Sequence, residues 1–380
     1  KKKKNFTAGQ DQIAERIAAE PNTNQAKNVI LFVVDGMGVN TNYGIRLFQG
    51  QEMGLLGEEH NLPHDLYPNS AIIKTYNINA QTPDSAPTAG AMNTGVKQVF
   101  NTINMADTVI HEDCSTEAPL TLFSELASDA GKSVGVVSTA RITHATGAAV
   151  YAKTANRNWE SEAPEGCVDI ATQLVDQMEA GVIDVAFGGG ARAFAPEGTE
   201  IEVGTGNRTD GVNLIDRATE IGAQGVYNSE PLSSAHMSAP VLGLFTNSDM
   251  NYEYDRPEGE PSLADMTTAA IEALQGNEEG FYLMVEAGRV DHANHGGNAH
   301  RAFTDGVAFA EAVAAAQEMV DLENTLIIVT ADHEHVINFN GYCGRGTPIT
   351  GVCMDIASGQ VEHSGEPVTA ADGKPLFFFF

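Results

Sequence analysis

Five short, largely apolar runs, at 29–34, 134–137, 183–187, 281–285 and 326–329, constrain this chain more than any other feature. They are continuous rather than alternating, the pattern of strands buried on both faces. Between them lie residues spaced for amphipathic helices. Leu122, Phe123 and Leu126 mark one, and Ile170, Leu174 and Met178 a second. Met266, Ala270, Ile271 and Leu274 mark a third, and Phe303, Val307, Ala310, Val313 and Ala314 a longer one. Strands alternating with helices predict a three-layer α/β/α fold with a large, mainly parallel central sheet. No internal repeat or long linker divides the 380 residues. The expected organisation is a single catalytic domain over 1–380, with loop excursions near 191–260 and 340–375.

Charge narrows the partners. The chain carries 21 basic and 51 acidic side chains, a net charge of −30. That field repels nucleic acid and anionic membranes, and a phosphate substrate needs local positive charge to overcome it. An acidic coat suits high salt, where screening shortens the repulsion. A salt-adapted source is therefore expected, with plain solubility as the simpler alternative. No apolar run approaches the ~20 residues of a membrane helix. Cys114, Cys167, Cys343 and Cys353 are even in number, which suits two disulfides and an oxidising compartment. Spacing does not reveal connectivity; chain order and proximity favour Cys114 with Cys167 and Cys343 with Cys353. No signal peptide is visible, so an exported protein would here be in its mature form. The runs at 1–4 and 377–380 read as foreign to the fold.

Ligands of open α/β sheets bind beyond the carboxyl ends of the strands, and polar residues cluster there. The first run leads into Asp35-Gly36-Met37-Gly38. The second leads into Ser138, Arg141, His144 and Thr146, the fourth into Glu286, and the fifth into Asp332-His333. One Asp after a strand is usually a turn or cap; four such ends together are not. Asp291 and His295, spaced i, i+4, share one face of a helical turn and suit zinc, with Glu286 close enough to reach a neighbouring ion. The alternative is a salt-bridged surface turn. In Asp332-His333-Glu334-His335, adjacent ligands can share a metal only from an irregular turn, and His335 reads as a supporting neighbour more than a ligand. Ser85 precedes small residues that suggest a tight turn opening a helix, where N–H donors favour an anion. It reads either as a helix cap or as a nucleophile activated by a metal.

Together these segments resemble the alkaline phosphatase family. The resemblance rests on Asp35-Gly36-Met37-Gly38, Asp84-Ser85-Ala86, Ala145-Thr146-Gly147, Asn156-Arg157-Asn158-Trp159, Gly188-Gly189-Gly190, the stretch from Glu286 to His295, and Asp332-His333, in the family's order. It implies hydrolysis of small phosphate monoesters with two zinc ions and one magnesium, through a phosphoserine at Ser85. By position, Asp35, Ser85, Asp332 and His333 look like ligands of the second zinc. Asp35 would bridge to magnesium, held also by Thr146 and Glu286, with His144 nearby. Asp291 and His295 look like first-zinc ligands, and Arg157 like the phosphate-binding arginine, its planar fork suiting bidentate contacts. The family favours homodimers, and the even cysteine count suits a periplasmic or extracellular location.

Two segments depart from the family. His363-Ser364-Gly365-Glu366 matches half of the segment that supplies the third first-zinc ligand, but no apolar strand follows. His363 is either that ligand or part of an insertion loop. Pro87 gives the Ser85 segment a near-sulfatase pattern, but position 89 is Ala where that pattern needs Arg. A phosphodiesterase or sulfatase relative, and a phosphate-binding protein without turnover, are the competing expectations.

Overall fold

The computed structural model describes residues 2–234, 237 and 239–377; Lys1 and 378–380, within the two terminal runs, lie outside the described residues. The chain opens with α1 (Lys2–Ala18), then β1 (Asn28–Val34), α2 (Val39–Glu52), α3 (Ser85–Thr94), α4 (Phe123–Asp129), β2 (Ser133–Arg141), α5 (Ala145–Ala148), α6 (Ile170–Glu179) and β3 (Val185–Gly189). A short hairpin of β4 (Glu200–Ile201) and β5 (Gly204–Thr205) follows, with α7 (Leu214–Glu220), β6 (Gln224–Val226), α8 (Ser229–Ser234) and β7 (Val241–Leu244). The last part is α9 (Leu263–Leu274), β8 (Phe281–Ala287), α10 (Arg289–His295), α11 (Ala299–Met319) and β9 (Thr325–Ala331).

Seven strands form one parallel sheet in the order β6-β7-β3-β2-β8-β1-β9. Side chains alternate between two cores. Ile30, Phe32 and Val34 of β1 face α2, α9 and α11, where Phe32 meets Phe309 edge-on with ring centroids 5.7 Å apart. Leu31 and Val33 face the core that includes Ala86, Ala89, Ile170 and Leu174. All five expected strands and all four expected helices form. The 191–260 stretch is more than an excursion: it supplies β6 and β7, which extend the sheet beyond β3. Val241–Leu244 is too short, and Gln224–Val226 too polar, to stand out as strands before their neighbours are known. β9 also differs from expectation. It lies at the sheet edge, with Leu326 47% and Ile328 40% exposed, so it is not buried on both faces.

The disulfides are Cys114–Cys167 and Cys343–Cys353. Residues 341–377 form turns and isolated bridges without a named strand.

Candidate active site

Parallel register aligns the strand ends. Val33 pairs with Glu286 on one side and Thr330 on the other, and Ser138 pairs with Glu286. Asp35 and Asp332 therefore emerge at the same level, one residue beyond their strands. The turn after β1 needs glycine at 36: its φ is +73°, and a Cβ there would lie 2.9 Å from Asp291 Oδ1. Gly36 N also donates to Asp332 Oδ1 at 3.1 Å.

Ser85 is the first residue of α3, and Asp84 precedes it as the cap. The Ser85 hydroxyl does not cap the helix. Its Oγ lies 3.2 Å from both Asp35 carboxylate oxygens and 3.2 Å from His333 Nε2. His333 Nδ1 lies 3.0 Å from the Glu334 carbonyl, which fixes its proton there and leaves the Nε2 lone pair facing Ser85. His333 Nε2 also approaches Asp35 and Asp332 at 3.3 Å each. Thus Asp35, Ser85, Asp332 and His333 converge. Asp291 joins Asp35 and His333 with ligand atoms within 4.8 Å of one another.

A second group holds Asp35, His144 and Glu286 within the same limit. Ser138 Oγ donates to Glu286 Oε2 at 2.6 Å, a contact the sequence reading missed although it placed Ser138 at a strand end. Glu286 Oε1 and Thr146 Oγ1 are buried without a hydrogen-bond partner among the described residues. His144 Nε2 accepts from Arg157 at 2.9 Å. Burial and the flanking arginines, Arg157 first among them, hold His144 well below the usual histidine range.

Asp291 and His295 of α10 stand 3.4 Å apart, and His335 Nε2 is 3.5 Å from Asp291 Oδ1. These three side chains form the remaining group. His363 is not in it. His363 Nδ1 accepts from Gly365 N at 3.1 Å, and its backbone N donates to the Arg345 carbonyl at 2.9 Å, within the 341–377 loop. The departure at that segment was the sequence signal for this, and the turn after Asp332 brings His335 to Asp291 instead.

Four carboxylates, Asp35, Glu286, Asp291 and Asp332, are each at most 4% exposed. Burial, then the charges of Asp332, Asp291 and Glu286, pushes the Asp35 carboxyl well above its ordinary range. Burial likewise moves Glu286 up to about 7. Buried like charges at this density call for cations. The unpaired Asp291 Oδ1, Glu286 Oε1 and Thr146 Oγ1 are oxygen donors of the kind divalent ions take. The residues fit metal binding. Arg157 is one nearby cation, ion-paired to Asp84, whose other oxygen accepts from Asn101 N at 2.9 Å.

Residues 26–365 match a family model described as alkaline phosphatase. The chain is 39% identical over 369 residues to a membrane-bound alkaline phosphatase of Bombyx mori, covering 91% of this chain and 67% of that protein. It is 40% identical over 354 residues to the tissue-nonspecific isozyme of Homo sapiens, covering 87% and 67%. Among solved structures, Thermus thermophilus alkaline phosphatase matches with a TM-score of 0.72 at 30% identity, over 85% of this chain and 63% of that one. The enzyme of the Antarctic bacterium TAB5 matches at 0.69 and 25%, over 85% and 84%.

Proposed function

The chain belongs to the alkaline phosphatase family, a family of phosphomonoester hydrolases, and from that premise we propose that it hydrolyses small phosphate monoesters through a phosphoserine at Ser85. One observation carries this reading: the Ser85 hydroxyl sits between Asp35 and His333, at the start of a helix and near Arg157.

Asp35, Ser85, Asp332 and His333 would hold one zinc. Asp291 and His295 would hold a second, with His335 beside them. Asp35, Glu286 and Thr146 would hold magnesium, with His144 adjacent. When bound, the ions supply Lewis acidity and lower the pKa of coordinated hydroxyls. The chain's residues do the rest. Asp84 orients Arg157, whose guanidinium binds two phosphoryl oxygens and offsets their charge. Ser85 Oγ passes its proton to solvent and bonds to phosphorus as the ester oxygen leaves in line with its electron pair and takes a proton from water to become the alcohol. Water then adds to the phosphoserine on the same line, releasing inorganic phosphate and regenerating the Ser85 hydroxyl.

The two disulfides support a periplasmic or extracellular setting, and the −30 charge supports a salt-adapted source. A homodimer is the assembly we propose. A phosphodiesterase or sulfatase would resemble this fold, but Arg157 at the phosphate would crowd a diester's second substituent. The test compares p-nitrophenyl phosphate, bis(p-nitrophenyl) phosphate and p-nitrophenyl sulfate. Hydrolysis of the monoester alone is expected, lost in Ser85→Ala and after EDTA, and restored by zinc with magnesium. Equal rates on all three esters, or an active Ser85→Ala protein, would overturn the proposal.

A further inference from the structure

Arg157 belongs to no helix or strand, so its place is set by whatever ties its loop down. The segment 101–114 does so. Ile103 and Thr154 exchange two backbone hydrogen bonds of 3.0 Å, Glu112 N donates to the Ala155 carbonyl at 3.1 Å, and the Cys114–Cys167 disulfide closes the far end. Three residues other than glycine have a left-handed backbone among the described residues, Asn101, Asn104 and Glu112, and all three lie in this segment.

Asn101 is tied to both members of the Arg157–Asp84 ion pair. Its N–H donates to Asp84 Oδ2 at 2.9 Å, its carbonyl accepts from Arg157 N at 2.9 Å, and the Arg157 guanidinium closes the ring on Asp84 Oδ1. Asn101 makes both bonds with its backbone, not its carboxamide. It is the third residue of the turn Val99-Phe100-Asn101-Thr102, in which Thr102 N donates to the Val99 carbonyl at 3.2 Å. Its φ is 65°, and that place in a turn suits glycine or asparagine and strains other side chains. The N–H and the carbonyl of one residue belong to successive peptide planes, whose mutual angle φ and ψ fix. A residue driven to negative φ here turns one of the two planes away.

We infer that Asn101 is a positioning residue for phosphate binding, its left-handed turn holding the Arg157 guanidinium in place against Asp84 and the adjoining Ser85. With Arg157 read as the phosphate-binding arginine, on which this rests, an opened turn would free the guanidinium to swing. The fraction of protein able to bind phosphate would fall, and the apparent affinity with it. Asn101 touches no reacting group and acts through Arg157.

The test uses the full chain supplied with zinc and magnesium. Inorganic phosphate is titrated by calorimetry, and turnover of p-nitrophenyl phosphate is measured alongside. Asn101→Gly, which enters the left-handed region freely, should keep the phosphate Kd within about twofold. Asn101→Ala and Asn101→Val should raise Kd and KM together by roughly 5–30-fold, the cost of that backbone for an ordinary side chain, with kcat within about threefold. Asn101→Ala carries the comparison if the β-branched variant does not fold. In an Arg157→Ala background, Asn101→Val should add nothing to Kd, because the effect passes through the arginine. A turn that only stabilises the loop would lower the unfolding midpoint and leave Kd alone, and that result overturns the inference. So does an equal rise in Asn101→Gly, or a full additional loss in the double variant. Arg157→Ala with an unaltered phosphate Kd would overturn the phosphate role of Arg157 and this inference with it. A weakened Arg157→Ala beside unaltered Asn101→Ala and Asn101→Val would overturn the inference alone.

Discussion

The two histidines of Asp332-His333-Glu334-His335 differ in where their protons sit. His333 bonds the Glu334 carbonyl through Nδ1, so Nε2 is free to take a metal. His335 Nδ1 instead accepts the Val336 N–H at 2.9 Å, so its neutral ring carries the proton on Nε2, facing Asp291. Burial holds this ring's pKa down at about 4, so it stays neutral at working pH. His335 then faces the Asp291 carboxylate, its Nε2 3.5 Å from Oδ1, close enough to position it electrostatically beside a metal. His335→Ala should weaken metal binding in the Asp291–His295 pocket by roughly 10–100-fold, the usual cost of losing such a supporting group. His335→Gln, which keeps an N–H donor, should recover most of it in a cobalt titration followed by absorbance. Equal losses in both variants would make His335 a ligand. The sequence revealed the pair but not their roles, because tautomers depend on neighbours a turn geometry supplies.

At the scale of elements, helices α2 and α11 cross through reciprocal glycines. A Cβ on Gly44 would lie 2.5 Å from the Phe303 ring, and one on Gly306 would lie 2.2 Å from Ile45. Phe303 and Ile45 are at most 1% exposed, so neither can swing away. Gly44→Ala and Gly306→Ala should each destabilise the protein by ~1–3 kcal/mol, read as a lower urea midpoint at unchanged slope. A midpoint that did not move would mean the helices separate freely. The apolar periodicity of α11 was legible in the sequence; the need for Gly306 was not, because Ile45 is remote in the chain.

For the whole molecule, charge and burial predict opposite ends of the condition range. With net charge −30, screening should raise thermal stability as salt is added from low ionic strength; a Tm flat or falling with sodium chloride would contradict this. Asp305 is 4% exposed on α11 and accepts from Glu253 N at 3.1 Å. Burial moves its carboxyl from 3.8 up to about 7. The folded state thus holds a proton that the unfolded chain releases first. Stability falls as pH rises from about 3.8 to about 7, a loss of up to ~4 kcal/mol. Asp305→Asn should leave stability unchanged near pH 4 and raise it above pH 7, in thermal melts across that range. Equal shifts at both ends would mean that the carboxyl does not titrate there.

The order of apolar runs and polar strand ends determined the layered fold and the placement of Asp35, Glu286 and Asp332 at strand ends, with Asp291 and His295 on one helical turn. Those features are local, because burial pattern and residue chemistry are carried within a few positions. Tertiary structure alone decided three others. It joined β6 and β7 to the sheet, since short strands are defined by their partners. It put β9 at the edge, since exposure is a property of what lies alongside. It set His335 rather than His363 beside Asp291, since a side chain's place depends on where the backbone turns, and spacing along the chain does not record that direction.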